Sequence, residues 1–424
     1  MNPIGPRASL KSAWPALCNS SSNSATCRCD AAGPALCPNA MIRVSHLPKA
    51  SGGACRLQAT LDCRRNRIHS VTSCDKSRNL MTWERSQPGG NDKRPALQTT
   101  TFLFVGGYTN TSNVGIRVFD ASDPTSDLVE IGCNDSIEHP SYLAVHPTED
   151  LVYAVSEVDW FDGRPGGGLV ALRFNSTTGS LIPIDQVSSH GDAPCHISVS
   201  PDGWSIHVAN YGSGSVAAYR LREDGQFGEL IGVHQHEGNG PTERQDGPHA
   251  HCVRPSPDGR WLYTADLGTD EVSQYRINLD GLAPVNTLPL RAGAGPRQIV
   301  VQPDMDLAFI INELDNTLTA CEIANDGALV PKQTITTLPD RAVSSIAADV
   351  QIHPSGAHIY ASNRGDDSIA VFALTDTSTP LESLGTIPAG GETPRSMIVH
   401  PSGQALLVAN QGSDSIVQLP LRNG

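Results

Sequence analysis

Residues 196–219 read His196-Ile197-Ser198-Val199-Ser200-Pro201-Asp202-Gly203-Trp204-Ser205-Ile206-His207-Val208-Ala209-Asn210-Tyr211-Gly212-Ser213-Gly214-Ser215-Val216-Ala217-Ala218-Tyr219. Three short apolar runs are separated by a turn at Pro201 and a polar turn after Asn210. The runs have strand length, and the Pro, Gly, Asp and Ser residues between them are turn formers.

The same layout recurs along the chain. Its proline stands at Pro147, Pro201, Pro257, Pro303, Pro354 and Pro401, with spacings of 54, 56, 46, 51 and 47 residues. Nine residues after each proline comes a small polar residue: Ser156, Asn210, Asp266, Asn312, Asn363 and Asn410. A strand-like run follows, such as Ser368-Ile369-Ala370-Val371-Phe372, and another precedes the proline, such as Ser396-Met397-Ile398-Val399. A more variable fourth strand completes each unit. Four short strands repeating at a period of about 40–55 residues are the signature of propeller blades. Six anchors, with Phe102–Phe119 as the middle of another blade, predict an all-β fold, a seven-bladed β-propeller of four-stranded antiparallel blades. No helical pattern of about 10–15 residues separates the strands, which excludes parallel βαβ units. Asn210, Asn363 and Asn410 are expected to bond their own backbone as turn residues. Ring closure stays open at this stage. The first blade lacks an inner strand and no apolar run follows Ser415–Leu421, so either Pro95–Thr101 fills the gap or the ring is imperfectly latched.

Charge divides the chain in two. Residues 1–100 carry 14 Lys/Arg against 5 Asp/Glu, whereas residues 101–424 carry 16 against 39. The first segment also holds seven of the 11 cysteines and no apolar periodicity, so 1–100 is expected to be a disordered basic Ser/Cys-rich extension preceding a propeller domain at 101–424. Its composition suits an organelle transit peptide better than a secretory signal; the other reading is a true start at Met81. A cytoplasmic location is expected, or a plastid or mitochondrion if residues 1–80 are a transit peptide. The acidic balance argues against a nucleic-acid partner. No apolar run approaches the roughly 18–20 residues of a membrane-spanning helix, so no membrane partner is expected. Monomer or weak dimer is the expected state. Cys27, Cys29 and Cys37 lack zinc-ribbon spacing, and the later cysteines Cys133, Cys195, Cys252 and Cys321 are read as reduced thiols.

Repetition also points to a site. Equivalent positions at the start of each inner strand form a ring at one mouth of the channel. Six residues before each proline stand Ser141, Cys195, His251, Arg297, Ala348 and Arg395; one residue later come Tyr142, His196, Cys252, Gln298, Asp349 and Ser396. A structural strand start needs only small or apolar residues, so arginines, histidines and an aspartate gathered there form an ionisable pocket. Glu313 and Arg364, each directly after the polar turn residue, join it.

These residues resemble the lactonase-type seven-bladed propeller family, which includes 6-phosphogluconolactonases and 3-carboxy-cis,cis-muconate cyclases. The resemblance spans 102–421. It is carried by Gly106-Gly107-Tyr108-Thr109, His139-Pro140-Ser141-Tyr142-Leu143, Pro194-Cys195-His196, the His-rich stretch from His234 to His251, Gly295-Pro296-Arg297, Asn312-Glu313-Leu314 and Ser362-Asn363-Arg364-Gly365. In the cyclase branch a His, an Arg and a Glu are taken as the active-site group, which implies His251, Arg297 and Glu313 here. Gln298, Asp349 and Asp366 depart from residues frequent in the family. The implied activity is hydrolysis of a small anionic sugar lactone, 6-phosphogluconolactone to 6-phosphogluconate in the pentose phosphate pathway.

Lactone opening by water passes through a tetrahedral oxyanion that needs donors. Glu313 or His251 would act as general base, and Arg297 would hold the oxyanion or a substrate anion. Arg364, Arg395 and Arg244 suit a phosphate, which guanidinium binds bidentately; His196, His249 and Asp349 complete the expected substrate-binding set. No cofactor and no metal is expected. The pairs His234/His236 and His249/His251 could in principle ligate zinc, but no carboxylate set of clear spacing accompanies them. A Gly-x-Ser-x-Gly elbow is missing, which argues against serine-hydrolase chemistry. Two other readings remain: a lactonising cyclase, and a non-enzymatic binding scaffold, since fold alone does not choose function.

Overall fold

A computed structural model describes residues 100–422 apart from 110–114, 279–280, 303–305, 340–343 and 376–377, together with the backbone of Ser70–Thr72 and Arg78–Arg85. Its strands form seven four-stranded antiparallel sheets arranged as a β-propeller. From the channel outward, blade 3 runs Pro194–Val199, Ser205–Asn210, Ser215–Leu221 and Phe227–Gln235. Blades 2, 4, 5 and 6 repeat that order, with inner strands at Leu143–Val145, Ala250–Pro255, Pro296–Gln302 and Ile346–Ile352.

The second strand of each blade shows why the repeat carries unbroken apolar runs rather than alternation. In Thr100–Gly107 of blade 1, Phe102 and Phe104 pack toward blade 2 on Val152, Leu172 and Phe174, whereas Leu103 and Val105 pack toward blade 7 on Leu407, Ala409 and Ile416. A blade is thus buried on both faces, and successive residues feed two different cores. Edge-to-face rings, Phe102–Phe174 and Phe104–Phe174 at centroid distances of 5.0 and 4.9 Å, fill the first of these.

Blades are also latched by the residue before the anchor proline. His146 Nε2 meets the Gly203 carbonyl of the next blade at 3.3 Å, and His353 meets Gly403 in the same way at 2.9 Å. Gly203 has φ +73, and a Cβ there would lie 2.5 Å from the His146 ring, so the latch requires glycine. The same device joins the last blade to the first, where His400 Nε2 lies 2.8 Å from the Ala121 carbonyl.

Ring closure differs from the sequence expectation. The inner strand of blade 1 is Arg78–Arg85, paired antiparallel with Thr100–Gly107 from Arg78↔Gly107 to Arg85↔Thr100. Ser70–Thr72 pairs with Ser415–Val417 as the outer strand of blade 7. Pro95–Thr101 is not the missing strand: Thr100 and Thr101 already belong to the second strand of blade 1. Two strands therefore lie inside the stretch expected to be a disordered extension. Arg78–Arg85 has three apolar residues among Arg, Asn, Thr and Glu, so it shows no alternation to read. The seven N-terminal cysteines lie outside the described residues; Cys195, Cys252 and Cys321 are buried free thiols.

The asparagines also depart from expectation. Asn210 Nδ2 donates to the Ser189 carbonyl, Asn363 Nδ2 to Thr337 and Asn410 Nδ2 to Ala389, at 3.0, 2.9 and 3.4 Å. Each ties the end of a second strand to the segment arriving from the preceding blade, and Asn210 and Asn363 span their own turn through the Ser215 and Ser368 hydroxyls, at 3.1 and 3.2 Å, rather than through backbone.

Candidate functional site

The start of an inner strand and the end of a second strand share one rim, because the two pair antiparallel: Pro194↔Asn210, Ala250↔Asp266, Pro296↔Asn312 and Pro394↔Asn410. In all four pairs the ladder then skips one residue, Cys195, His251, Arg297 or Arg395. In these four blades the residue six before the proline is thus a β-bulge residue, the device that re-aims a side chain at a barrel or sheet end. The residue after each polar turn residue lies beside it: Glu157, Tyr211, Leu267, Glu313, Arg364 and Gln411.

Glu313 is the electrostatic centre of this rim and is 2% exposed. Its Oε1 accepts from Arg244 Nη2 at 3.0 Å, and its Oε2 lies 2.7 Å from Arg364 Nη2 and 2.9 Å from Arg297 Nε. The last approach pairs charges without hydrogen-bond alignment. Burial pushes the Glu313 carboxyl up, but Arg364, Arg297 and Arg244 together outweigh it and hold the group below its ordinary range. The arginines are fixed from behind: Arg297 Nη1 donates to the Ala348 carbonyl, and Arg364 Nη2 to Ala347 at 3.0 Å. Burial and the neighbouring Arg297 lower Arg364 to about 10, so it stays charged at neutral pH. Three guanidinium groups around one carboxylate leave a net positive mouth.

His251 shares the rim, edge-on to Tyr211 at 5.7 Å. Burial first, then the charges of Arg297 and Arg395, push its imidazole well below its usual value, so it is neutral. Arg395 donates to Gln411 Oε1 at 3.3 Å.

Arg244 arrives on the His-rich loop, whose short 3-10 turn Glu243–Gln245 is clamped by Gln245 Nε2 on the Leu267 carbonyl at 2.9 Å. Asp266 holds the loop's far end. Its Oδ1 accepts from the amides of His249, Gly268 and Thr269, and its Oδ2 meets His236 Nδ1 at 2.6 Å. His236 Nε2 lies 2.7 Å from the Tyr275 hydroxyl. His249 stacks on Tyr211 at 4.5 Å and meets the Tyr211 carbonyl and Asp246. Among the described residues no three His, Cys, Asp or Glu groups are arranged to hold a metal.

The structure thus brings His251, Arg297, Glu313, Arg244, Arg364, Arg395 and His249 to one mouth. His196 and Asp349 are committed to the frame instead. The His196 ring packs on Tyr142 at 4.1 Å and its Nδ1 accepts from the Val253 amide at 3.4 Å. Asp349 accepts from the Val350 and Met397 amides, both at 2.8 Å, tying blade 6 to blade 7.

Sequence reasoning passed over Tyr108, Glu157, Tyr211 and Gln411. Tyr108 donates to Glu157 Oε1 at 2.6 Å, on the opposite side of the channel from Glu313. The signal was available: Glu157, Tyr211 and Gln411 stand directly after the polar turn residue, as Glu313 and Arg364 do.

The family described as "Lactonase, 7-bladed beta-propeller" matches residues 102–423. The 6-phosphogluconolactonase of Bacillus subtilis strain 168 is 29% identical over 297 residues, covering 70% of this chain and 84% of that protein. The 6-phosphogluconolactonase of Formosa agariphila is 31% identical over 306 residues, with 70% and 86% covered. The structure of Pseudomonas aeruginosa periplasmic gluconolactonase superposes with a TM-score of 0.70 at 28% identity, covering 76% of this chain and 95% of that one.

Proposed function

The chain belongs to the seven-bladed β-propeller lactonase family, and from that premise we propose that its channel mouth hydrolyses a small anionic sugar lactone, 6-phosphogluconolactone in the first instance. That activity would make the chain the lactone-opening enzyme of the pentose phosphate pathway. The observation that carries the reading is the cluster of Arg244, Arg297 and Arg364 around the single ionised carboxylate of Glu313, with Arg395 on the same rim. Such a cluster attracts an anion, and guanidinium groups suit the planar, multidentate acceptors of a phosphate or carboxylate. The same donors would stabilise the charge that develops on the carbonyl oxygen as water adds.

Glu313 is poorly suited to act as the base. Both of its oxygens face guanidinium groups and its carboxyl is held below the ordinary range, so it organises the arginines instead. Neutral His251 is free to hydrogen-bond substrate, but with a depressed pKa it holds a proton weakly. The proton transfers fall to another group.

The test is hydrolysis of freshly prepared 6-phosphogluconolactone by the full chain at neutral pH, measured against spontaneous opening. The expected result is turnover well above background that Arg364→Ala and Arg297→Ala both suppress. Unphosphorylated gluconolactone runs beside it, because the Pseudomonas aeruginosa neighbour is a gluconolactonase; a preference for that substrate would shift the reading to a neutral sugar lactone. Closure of a carboxymuconate would favour the cyclase, and a folded chain inert to all three would favour a binding scaffold.

A further inference from the structure

We propose that Glu157, held by Tyr108, is the group that carries the proton during lactone opening, a role that rests on the lactonase reading above. Glu157 follows Ser156, the last residue of the second strand Leu151–Ser156 in blade 2; Glu313 follows Asn312 in the same position of blade 5. Three blades apart in a ring of seven, the two carboxyls face one another across the channel. They differ in company. Three arginines contact Glu313, whereas Glu157 accepts a hydrogen bond from the Tyr108 hydroxyl and has the Ser141 hydroxyl beside it.

The groups that face Glu157 come from four elements. They are Tyr108 after the second strand of blade 1, His139 and Ser141 on the segment entering blade 2, Cys195 at the start of blade 3, and Arg395 at the start of blade 7. Burial, the largest influence, raises the Glu157 carboxyl above its ordinary value, and the hydroxyls and the Arg395 charge only partly oppose it. A carboxyl whose affinity for a proton lies closer to neutrality is the better proton carrier.

As a water oxygen bonds to the lactone carbonyl carbon, one water proton passes to the Glu157 carboxylate and charge moves onto the carbonyl oxygen. When the intermediate collapses, the bond to the ring oxygen breaks with its electron pair, and that oxygen takes the proton from Glu157. The product is the open hydroxy acid, which loses its own carboxyl proton to solvent, and Glu157 is again ionised.

The experiment is the pH profile of kcat/KM for the full chain on 6-phosphogluconolactone, with Glu157→Gln and Tyr108→Phe variants checked for folding by circular dichroism. Because Glu157 must start ionised, wild-type activity falls toward acid pH. Glu157→Gln is expected to lower kcat about 10²–10⁴-fold, the usual worth of general acid–base catalysis, to abolish the acid limb and to leave KM within a few-fold. Tyr108→Phe removes a hydrogen bond that favours the ionised form, so the acid limb moves to higher pH. It also keeps the test open if Glu157→Gln does not fold. An acid limb that survives in Glu157→Gln, or that moves to lower pH in Tyr108→Phe, overturns the proposal alone. A wild-type chain that turns over no lactone overturns the lactonase reading and this role with it.

Discussion

Arg364 Nη2 stands 2.7 Å from Glu313 Oε2, and this pair joins the second strand of blade 6 to the polar turn of blade 5. Arg297 and Arg244 reach the same carboxylate from the inner strand of blade 5 and from the loop entering blade 4, so one buried charge gathers three separate parts of the ring.

Replacing Glu313 by Gln should therefore cost stability as well as activity. Removing one partner of a buried charge cluster costs about 3–5 kcal/mol, because the remaining charges stay desolvated. Since the folded carboxyl lies below its unfolded value, its contribution is present above an unfolded pKa of about 4.3 and is lost as pH falls through the lower folded value. Urea unfolding of wild type and Glu313→Gln should show a gap at pH 7 that narrows below about pH 4. A gap that widens on acidification would refute the assignment.

Arg364→Gln should act mainly on binding. A hydrogen bond to a charged group is worth about 1.5–3 kcal/mol, so KM for an anionic lactone should rise roughly 10- to 100-fold. The loss should shrink for an uncharged lactone, and steady-state kinetics on the two substrates would read the difference directly.

Asp266 is expected to matter without approaching substrate. It holds His236 and the His249 amide, at the two ends of the loop that carries Arg244, besides the Gly268 and Thr269 amides of its own turn. Asp266→Ala and Arg244→Ala should each raise KM, and the double variant should be little worse than the poorer single one. Full additivity in the cycle would mean that Asp266 does not work through Arg244.

Shortening the chain so that it begins after Arg85 should destabilise the ring. The cut removes the inner strand of blade 1 and the outer strand of blade 7, leaving Thr100–Gly107 and Ser415–Pro420 with unpaired edges. A lower melting temperature and concentration-dependent aggregation are expected by calorimetry and light scattering. A start at Met81 removes Ser70–Thr72 and trims three residues from Arg78–Arg85, and its effect should fall between the two.

Much of this was legible because the fold repeats. The prolines fix the turns, and the nine-residue step to Asn312 or Asn363 fixes the end of each second strand, so Glu313 and Arg364 could be placed on a rim without coordinates. Applied to every blade, the same step reaches Glu157 and Tyr211. What repetition does not encode is which groups pair across the ring. Arg244 and Glu313 are 69 residues apart, and nothing in either local sequence states their contact. Asp349 and His196 stand one residue after the slot that Arg297 fills and are absorbed by strand amides and ring packing; the skipped rung that makes this difference belongs to the ladder, and no local sequence announces it. Arg78–Arg85 was invisible for a different reason: its few apolar residues follow no period of two, and backbone pairing alone declares it a strand.

The skipped residue at the head of four inner strands separates frame from chemistry. Cys195, His251, Arg297 and Arg395 are a thiol, an imidazole and two guanidiniums in one geometric slot, and none of them is needed as a rung of the ladder. Each slot behaves as a socket: its occupant can be exchanged while strand register on either side persists. Such a ring can be retuned toward a new substrate one position at a time, with the cost of each exchange confined to the mouth.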